Sequence, residues 1–308
     1  MEPILRLEKV VKTYQQTTAV DNVSFNVPKG TIFGMLGPNG AGKTSLIRII
    51  TTITRADSGN VWVDGEQIGS ATSRQIGYMP EERGLYKKMK VGEQLMYLAQ
   101  LKGLSKSVAK EKIEAWFTKF DIDWWDKKVE ELSKGMQQKI QFISTVVHEP
   151  KILILDEPFS GLDPINTNLI KDEIYQLKEK GTSIIFSTHR MEQVEEVCEH
   201  IVLINKGKNI LQGEINEVKN RFKENIFEIK YTGELPQSLA AKDAADDGFE
   251  IVAQAKNSLK IKTASELDSN KLLSYLLDNG VQISSFQEIL PSLNDIFIQE
   301  VGEWVDEV

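Results

Sequence analysis

The sequence predicts an α/β fold: a mixed or parallel sheet, preceded by an antiparallel β-subdomain, interrupted by a helical subdomain and followed by a small α+β domain. Three observations predict it. Ile152-Leu153-Ile154-Leu155 and Thr182-Ser183-Ile184-Ile185-Phe186-Ser187 are compact apolar runs, the pattern of strands covered on both faces. A helical stretch from Ile165 to Lys180 joins them, and strand, helix, strand in that order implies parallel pairing. In the first thirty residues apolar and polar positions alternate instead, as in strands with one wet face.

In chain order, Ile4, Leu7 and Val10, then Val20, Val23, Phe25 and Val27, give antiparallel strands that end at the turn Pro28-Lys29-Gly30. Thr31-Ile32-Phe33-Gly34-Met35-Leu36 is an apolar run that feeds into the loop Gly37-Pro38-Asn39-Gly40-Ala41-Gly42-Lys43-Thr44. Ser45-Leu46-Ile47-Arg48-Ile49-Ile50 follows with helical spacing. Residues from about 85 to 150 hold no strand-like run and are rich in Lys, Glu, Gln and Leu, which makes them the helical subdomain. Trp116, Trp124 and Trp125 fall there and read as packing residues, while Lys87-Lys88-Met89-Lys90 reads as a solvated face. Near Val218 the chain changes character, so the domains are residues 1–218 and 219–308. The second holds strands at Phe249 to Ala253, Ser258 to Ile261 and Val281 to Phe286. Its helices are an amphipathic one around Leu267 to Leu277 and a final one capped by Ser292, with Asp295 three residues on.

A chain of 308 residues exceeds what one core usually organises, consistent with two domains. The net charge of −8 argues against nucleic acid held on a basic surface. Residues 219–308 carry 9 Lys+Arg against 16 Asp+Glu, so nearly all of that acidity lies in the second domain. The single Cys198 forms no internal disulfide, and a reducing cytosol is the expected compartment. Met1 to Arg6 lack the basic-then-apolar order of a secretory signal, and no stretch reaches the roughly 18 apolar residues of a membrane span.

The loop from Gly37 to Thr44 satisfies the pattern G-x-x-x-x-G-K-T between an expected buried strand and a helix. Glycines let successive backbone N–H groups curl around phosphates, and the helix start adds partial positive charge. Lys43 is expected to reach the β- and γ-phosphates of ATP, and the Thr44 hydroxyl to bind Mg²⁺. Asp156-Glu157 ends the aliphatic strand that begins at Ile152. A carboxylate at the C-terminal edge of a neighbouring parallel strand lies beside the phosphates. Asp156 is therefore the candidate metal ligand and Glu157 the candidate general base.

With these motifs in this order, residues 4 to 218 resemble the ATP-binding subunit of an ABC transporter, a P-loop NTPase with an ABC-type core. Leu132-Ser133-Lys134-Gly135-Met136 resembles the family signature Leu-Ser-Gly-Gly-Gln, departing from it at Lys134 and Met136. The resemblance implies that Ser133 and Gly135 hold the γ-phosphate of ATP bound to the opposite subunit, so that hydrolysis needs a dimer. It implies likewise that Asp163, in Ser160-Gly161-Leu162-Asp163-Pro164, links the two sites, that His189 contacts the γ-phosphate and that Tyr14 stacks on adenine. Pro38, Asn39, Gly40, Ala41 and Ser45 join the nucleotide site by the same resemblance. In Tyr78-Met79-Pro80-Glu81-Glu82-Arg83-Gly84-Leu85-Tyr86, Glu81 stands where most members have glutamine, and is expected to reach Mg²⁺ as a carboxylate. That segment, and Pro291-Ser292-Leu293-Asn294-Asp295-Ile296-Phe297, are similar to bacterial sodium or drug exporter ATPases with an extra C-terminal domain.

The resemblance implies an ATPase that pairs as a homodimer, or as a heterodimer with a related subunit. It would drive a membrane-spanning permease from the inner face of the membrane, with export as the expected direction. The alternative is an ATPase acting on ribosomes or DNA. Such proteins usually carry two cassettes or a long coiled-coil insertion, which this sequence lacks.

Overall fold

The computed structural model of the chain describes residues 2–82, 84–233, 249–265 and 269–303. Arg83 of the Glu81 segment, and Leu267 at the start of the expected amphipathic helix, lie outside them. The chain forms two compact units, Met1–Ile215 and Asn216–Val308.

In the first unit β1 (Leu5–Tyr14), β2 (Thr17–Val27), β4 (Ser58–Val63) and β5 (Glu66–Gln67) make an antiparallel sheet of order β2-β1-β4-β5. The alternating residues Leu5, Leu7 and Val10, with Val20, Val23, Phe25 and Val27 opposite them, are buried. They share a core with Phe33, Met35, Leu46 and Ile49, and each such side chain contributes about 1.5–3 kcal/mol by leaving water.

The central sheet is mixed. Its order is β10-β9-β3-β8-β7-β6, from β3 (Ile32–Leu36), β6 (Ile76–Met79), β7 (Ile152–Asp156), β8 (Ser183–Thr188), β9 (His200–Asn205) and β10 (Lys208–Glu214). All its pairings are parallel except β9 with the edge strand β10. Every residue of β3, β7 and β8 is buried, which is why these strands read as apolar runs. Leu36 pairs with Thr188 and Asp156 with Ser187, so the three strands end together. The loops that leave those ends carry the site.

Helix α1 (Lys43–Ile50) follows the glycine loop directly. The helical subdomain is α2 (Val91–Leu101), α3 (Lys106–Lys119) and α4 (Lys134–Val146). Two of its tryptophans pack as expected: Trp116 meets Phe120 and Phe142 edge-on at 5.3 and 5.9 Å, and Trp125 meets Phe117 at 5.6 Å. A Cβ on Gly92 would stand 2.4 Å from the Trp125 ring, so the indole occupies the place of a side chain there. Helices α5 (Pro164–Glu179) and α6 (Met191–Val197) follow β7 and β8, and α7 (Ile215–Arg221) runs through the division between the units.

The second unit is an antiparallel sheet of order β12-β13-β11-β14, formed by β11 (Ile226–Thr232), β12 (Phe249–Ala255), β13 (Ser258–Thr263) and β14 (Gln282–Ile289), with helices α8 (Ser269–Asp278) and α9 (Leu293–Glu303). Phe227, Ile229, Leu259, Ile261, Leu272 and Leu276 make its core. β12 and β13 each run two residues past the expected ends, because Ala255 pairs with Ser258 at the turn, and Lys262 and Thr263 pair with Glu250 and Phe249 at the open end. At α9 the Asp295 amide donates to Ser292 Oγ at 3.1 Å and the Ser292 amide to Asp295 Oδ2 at 3.0 Å, the reciprocal cap that the sequence spelled.

Candidate nucleotide-binding site

The loop after β3 is a conformation that only particular residues tolerate. Gly37 has φ 150° and Gly42 φ 108°. A Cβ at Gly37 would lie 2.1 Å from the Ile204 carbonyl oxygen, and one at Gly42 would lie 2.3 Å from that of Ala19. Both glycines are therefore demanded twice, by dihedral and by space. The Ala41 amide donates to Pro38 O at 3.1 Å, and the Gly207 amide to Ala41 O at 2.9 Å, tying the loop to the turn between β9 and β10. Asn39 and Gly40 are exposed, and Pro38 and Ser45 half-buried.

Lys43 is only 8% exposed, and its Nζ donates to Gly37 O at 2.6 Å and Pro38 O at 3.1 Å. Burial lowers its pKa, opposed by the nearby charges of Asp156, Glu157 and Glu81. An ammonium held on two backbone carbonyls inside the loop suits an anion with several oxygens, which replaces those carbonyls with full charges. Thr44 is exposed on the first turn of α1.

Asp156, 6% exposed at the end of β7, accepts a hydrogen bond from Ser187 Oγ at 2.8 Å. Burial raises its pKa; Glu157 and Glu81 push the same way, while Ser187 and Lys43 oppose. Glu157 turns the chain sharply with φ 50°. Its carboxylate accepts from Thr188 Oγ1 at 3.0 Å and from the His189 amide at 2.9 Å, and its Oε1 lies 2.7 Å from His189 Nδ1. The Glu157 side chain is 11% exposed and that of His189 45%. Glu81 is exposed beside this group, close enough to act electrostatically on Lys43 and Asp156. Thr44, Asp156 and Glu81 offer oxygen alone, a donor set suited to a hard cation such as Mg²⁺. Among the described residues no three His, Cys, Asp or Glu side chains gather as a metal site, so phosphate oxygens would have to complete the shell.

The structure thus brings together the loop, Asp156, Glu157, His189 and Glu81. It places the remaining candidates elsewhere. Ser133 caps α4, accepting from the Met136 amide at 3.3 Å, and Asp163 caps α5, accepting from the Asn166 amide at 3.0 Å. Those two helix starts adjoin, since a Cβ on Gly135 would be 3.6 Å from Asn166 Nδ2. Ser133 and Asp163 are exposed, and no hydrogen bond or ion pair among the described residues joins them to the loop. Tyr14, 40% exposed, ends β1 with Lys12 Nζ 5.5 Å from the centre of its ring. The antiparallel sheet it belongs to reaches the loop through Ala19 on β2.

Three residues of this site escape sequence reasoning. Ser187 and Thr188 supply the hydroxyls that meet Asp156 and Glu157, and Tyr78, with its hydroxyl pushed up to about 12 by burial and then by Asp156, is near enough to feel that carboxylate's charge. The available signal was the apolar run of β8 ending in two hydroxyl residues just before His189.

The ABC transporter family matches residues 20–160, and the family described as "ATP-binding protein DrrA1-3-like, C-terminal domain" matches residues 213–301. An uncharacterized ABC transporter ATP-binding protein, YhaQ of Bacillus subtilis (strain 168), is 44% identical over 97% of this chain and 99% of its own. The linearmycin resistance ATP-binding protein LnrL of the same organism is 32% identical over 97% and 98%. Among solved structures, an ATP-binding subunit of an ABC transporter superposes with TM-score 0.67 at 28% identity, covering 71% of this chain and 93% of that one. No helix among the described residues is long and apolar enough to cross a membrane.

Proposed function

This chain belongs to the ATP-binding subunits of ABC transporters and is an ATPase, and from that premise we propose how it works: two copies, or one copy and a related subunit, close on two ATP molecules and drive a separate membrane-spanning permease. The observation that carries the proposal is the division of the site. Lys43 and Asp156 are buried, with Glu157 half-buried beside them, at the ends of β3 and β7, while Ser133, Gly135 and Asp163 lie on a separate face. A face that cannot serve its own loop is suited to serve that of a partner.

In this reading the amides of Gly37 to Thr44 and the Lys43 ammonium bind the β- and γ-phosphates, and Tyr14 stacks on the adenine. Thr44, Asp156 and Glu81 would hold Mg²⁺, which supplies neutralising charge at the phosphate oxygens. Glu157 accepts the proton of the attacking water. His189, half-exposed and already within reach of Glu157, turns its ring to the γ-phosphate, and Ser133 and Gly135 of the partner close the opposite side. Glu81 keeps a carboxylate between the metal and the segment toward the permease. The protein sits peripherally on the inner face of the membrane through that permease. Export is the direction favoured, supported by the extra C-terminal domain and by a relative named for linearmycin resistance. The alternative of an ATPase acting on ribosomes or DNA gains no support from these relatives.

Glu157→Gln tests the proposal. Turnover should fall by about 10²-fold or more, and size-exclusion chromatography with ATP should show a trapped dimer. Turnover within a few-fold of the parent, with no dimer, would remove Glu157 from the role of base.

A further inference from the structure

Thr188 is fully buried at the end of β8, its backbone fixed in the sheet beside Leu36 of β3. Its hydroxyl makes two hydrogen bonds of known sense. The Arg190 amide, which can only donate, gives its proton to Thr188 Oγ1 at 3.1 Å. The hydroxyl's own proton is therefore directed to Glu157 Oε2 at 3.0 Å. The other carboxylate oxygen, Oε1, is shared between the His189 amide at 2.9 Å and the His189 ring at 2.7 Å.

These contacts differ in how easily they move. The ring of His189 is 45% exposed and swings about its own side-chain bonds; the His189 amide and the buried Thr188 hydroxyl do not. Glu157 sits in the left-handed region at φ 50°, its amide donating to Ser187 O at 2.9 Å, so its backbone is pinned while its side chain retains torsional freedom. If the ring were its main anchor, the carboxylate would follow the ring toward the phosphate.

We infer that Thr188 is a positioning residue for Glu157, holding Oε2 so that departure of the His189 ring frees a lone pair on Oε1 without displacing the carboxylate. The inference rests on Glu157 being the general base. Oε1 then accepts the proton of the attacking water, while Thr188 and the His189 amide keep the group aimed. Thr188 touches neither nucleotide nor water in this arrangement, so its loss affects the chemical step and not ATP affinity.

The test is steady-state ATPase kinetics on the full chain carrying Thr188→Val, which keeps the volume and removes the hydroxyl, with Thr188→Ser and Glu157→Gln alongside. Thr188→Val should lower kcat about tenfold with KM for ATP changed less than about twofold, and Thr188→Ser should bring kcat back to within about twofold of the parent. Thr188→Ala carries the same expectation should the valine variant not fold. A kcat for Thr188→Val or Thr188→Ala within twofold of the parent, or a loss that serine does not rescue, overturns the inference. Were Glu157→Gln fully active, the base assignment itself would fall, and the inference with it. An inactive Glu157→Gln beside an active Thr188→Val would overturn the inference alone.

Discussion

Lys43 and Ser133 both stand where a helix begins, yet the molecule holds them in opposite ways. Around Lys43 the protein leaves little freedom: the side chain is buried on two carbonyls, and Gly37 and Gly42 have no room for a Cβ. Around Ser133 the helix caps itself, the side chain is exposed, and even a methyl on Gly135 would meet only ordinary contacts. One region is fixed by the core and the other is merely presented by it. The difference fits the proposed reading, in which one half of a site is built in the interior and the other half is displayed as a surface for a partner.

That contrast breaks if substitution in the two regions has similar consequences. The largest structural effect should come from Gly37→Ala, whose Cβ would meet the Ile204 carbonyl oxygen at 2.1 Å with φ at 150°. It should lose about 3 kcal/mol of stability in denaturant titration, together with nucleotide binding.

Asp156→Asn should act in the reverse direction. Burial raises the Asp156 pKa above its ordinary 3.8, so the folded chain binds that proton more tightly than the unfolded chain does. Asp156 therefore costs stability as pH rises through its raised pKa, and the asparagine variant escapes this cost. The nucleotide-free variant should melt at a higher temperature at pH 7, with the two melting curves converging in acid, where both side chains are neutral. A lower melting temperature at pH 7 would mean that the carboxylate stabilises the empty site. Ser133→Arg should have the smallest effect on stability, about 1 kcal/mol, because all it removes is one exposed helix cap, the bond from the Met136 amide.

Much of this was legible because the chemistry demanded rare residue types. A backbone at φ 150° and 108° writes itself into the sequence as Gly37 and Gly42, and strands covered on both faces write themselves as Ile152 to Leu155. Lateral register leaves no such mark. That Ser187 meets Asp156 follows from the pairing of β7 with β8 across an intervening helix, and a serine ending a strand has many other uses. Nothing about a glutamate announces φ 50° at Glu157. Helix α1 begins at Lys43, before the first apolar residue that could reveal its period, because its opening turn belongs to the loop. The division of the chain at Ile215 and Asn216 lies within three residues of the change of character near Val218, and α7 runs through it without a glycine or proline.

The half-site account is tested most directly by mixing two variants. Lys43→Ala should bind no ATP, and Ser133→Arg should bind ATP normally as a single subunit; neither alone should turn it over. In a mixed pair, the Lys43 of one subunit faces the Ser133 of the other, and one site is whole. ATP turnover that appears only on mixing is the predicted result. Full activity of Ser133→Arg by itself, or mixtures as inactive as their components although they form mixed dimers, would contradict the claim that each copy completes the other's site.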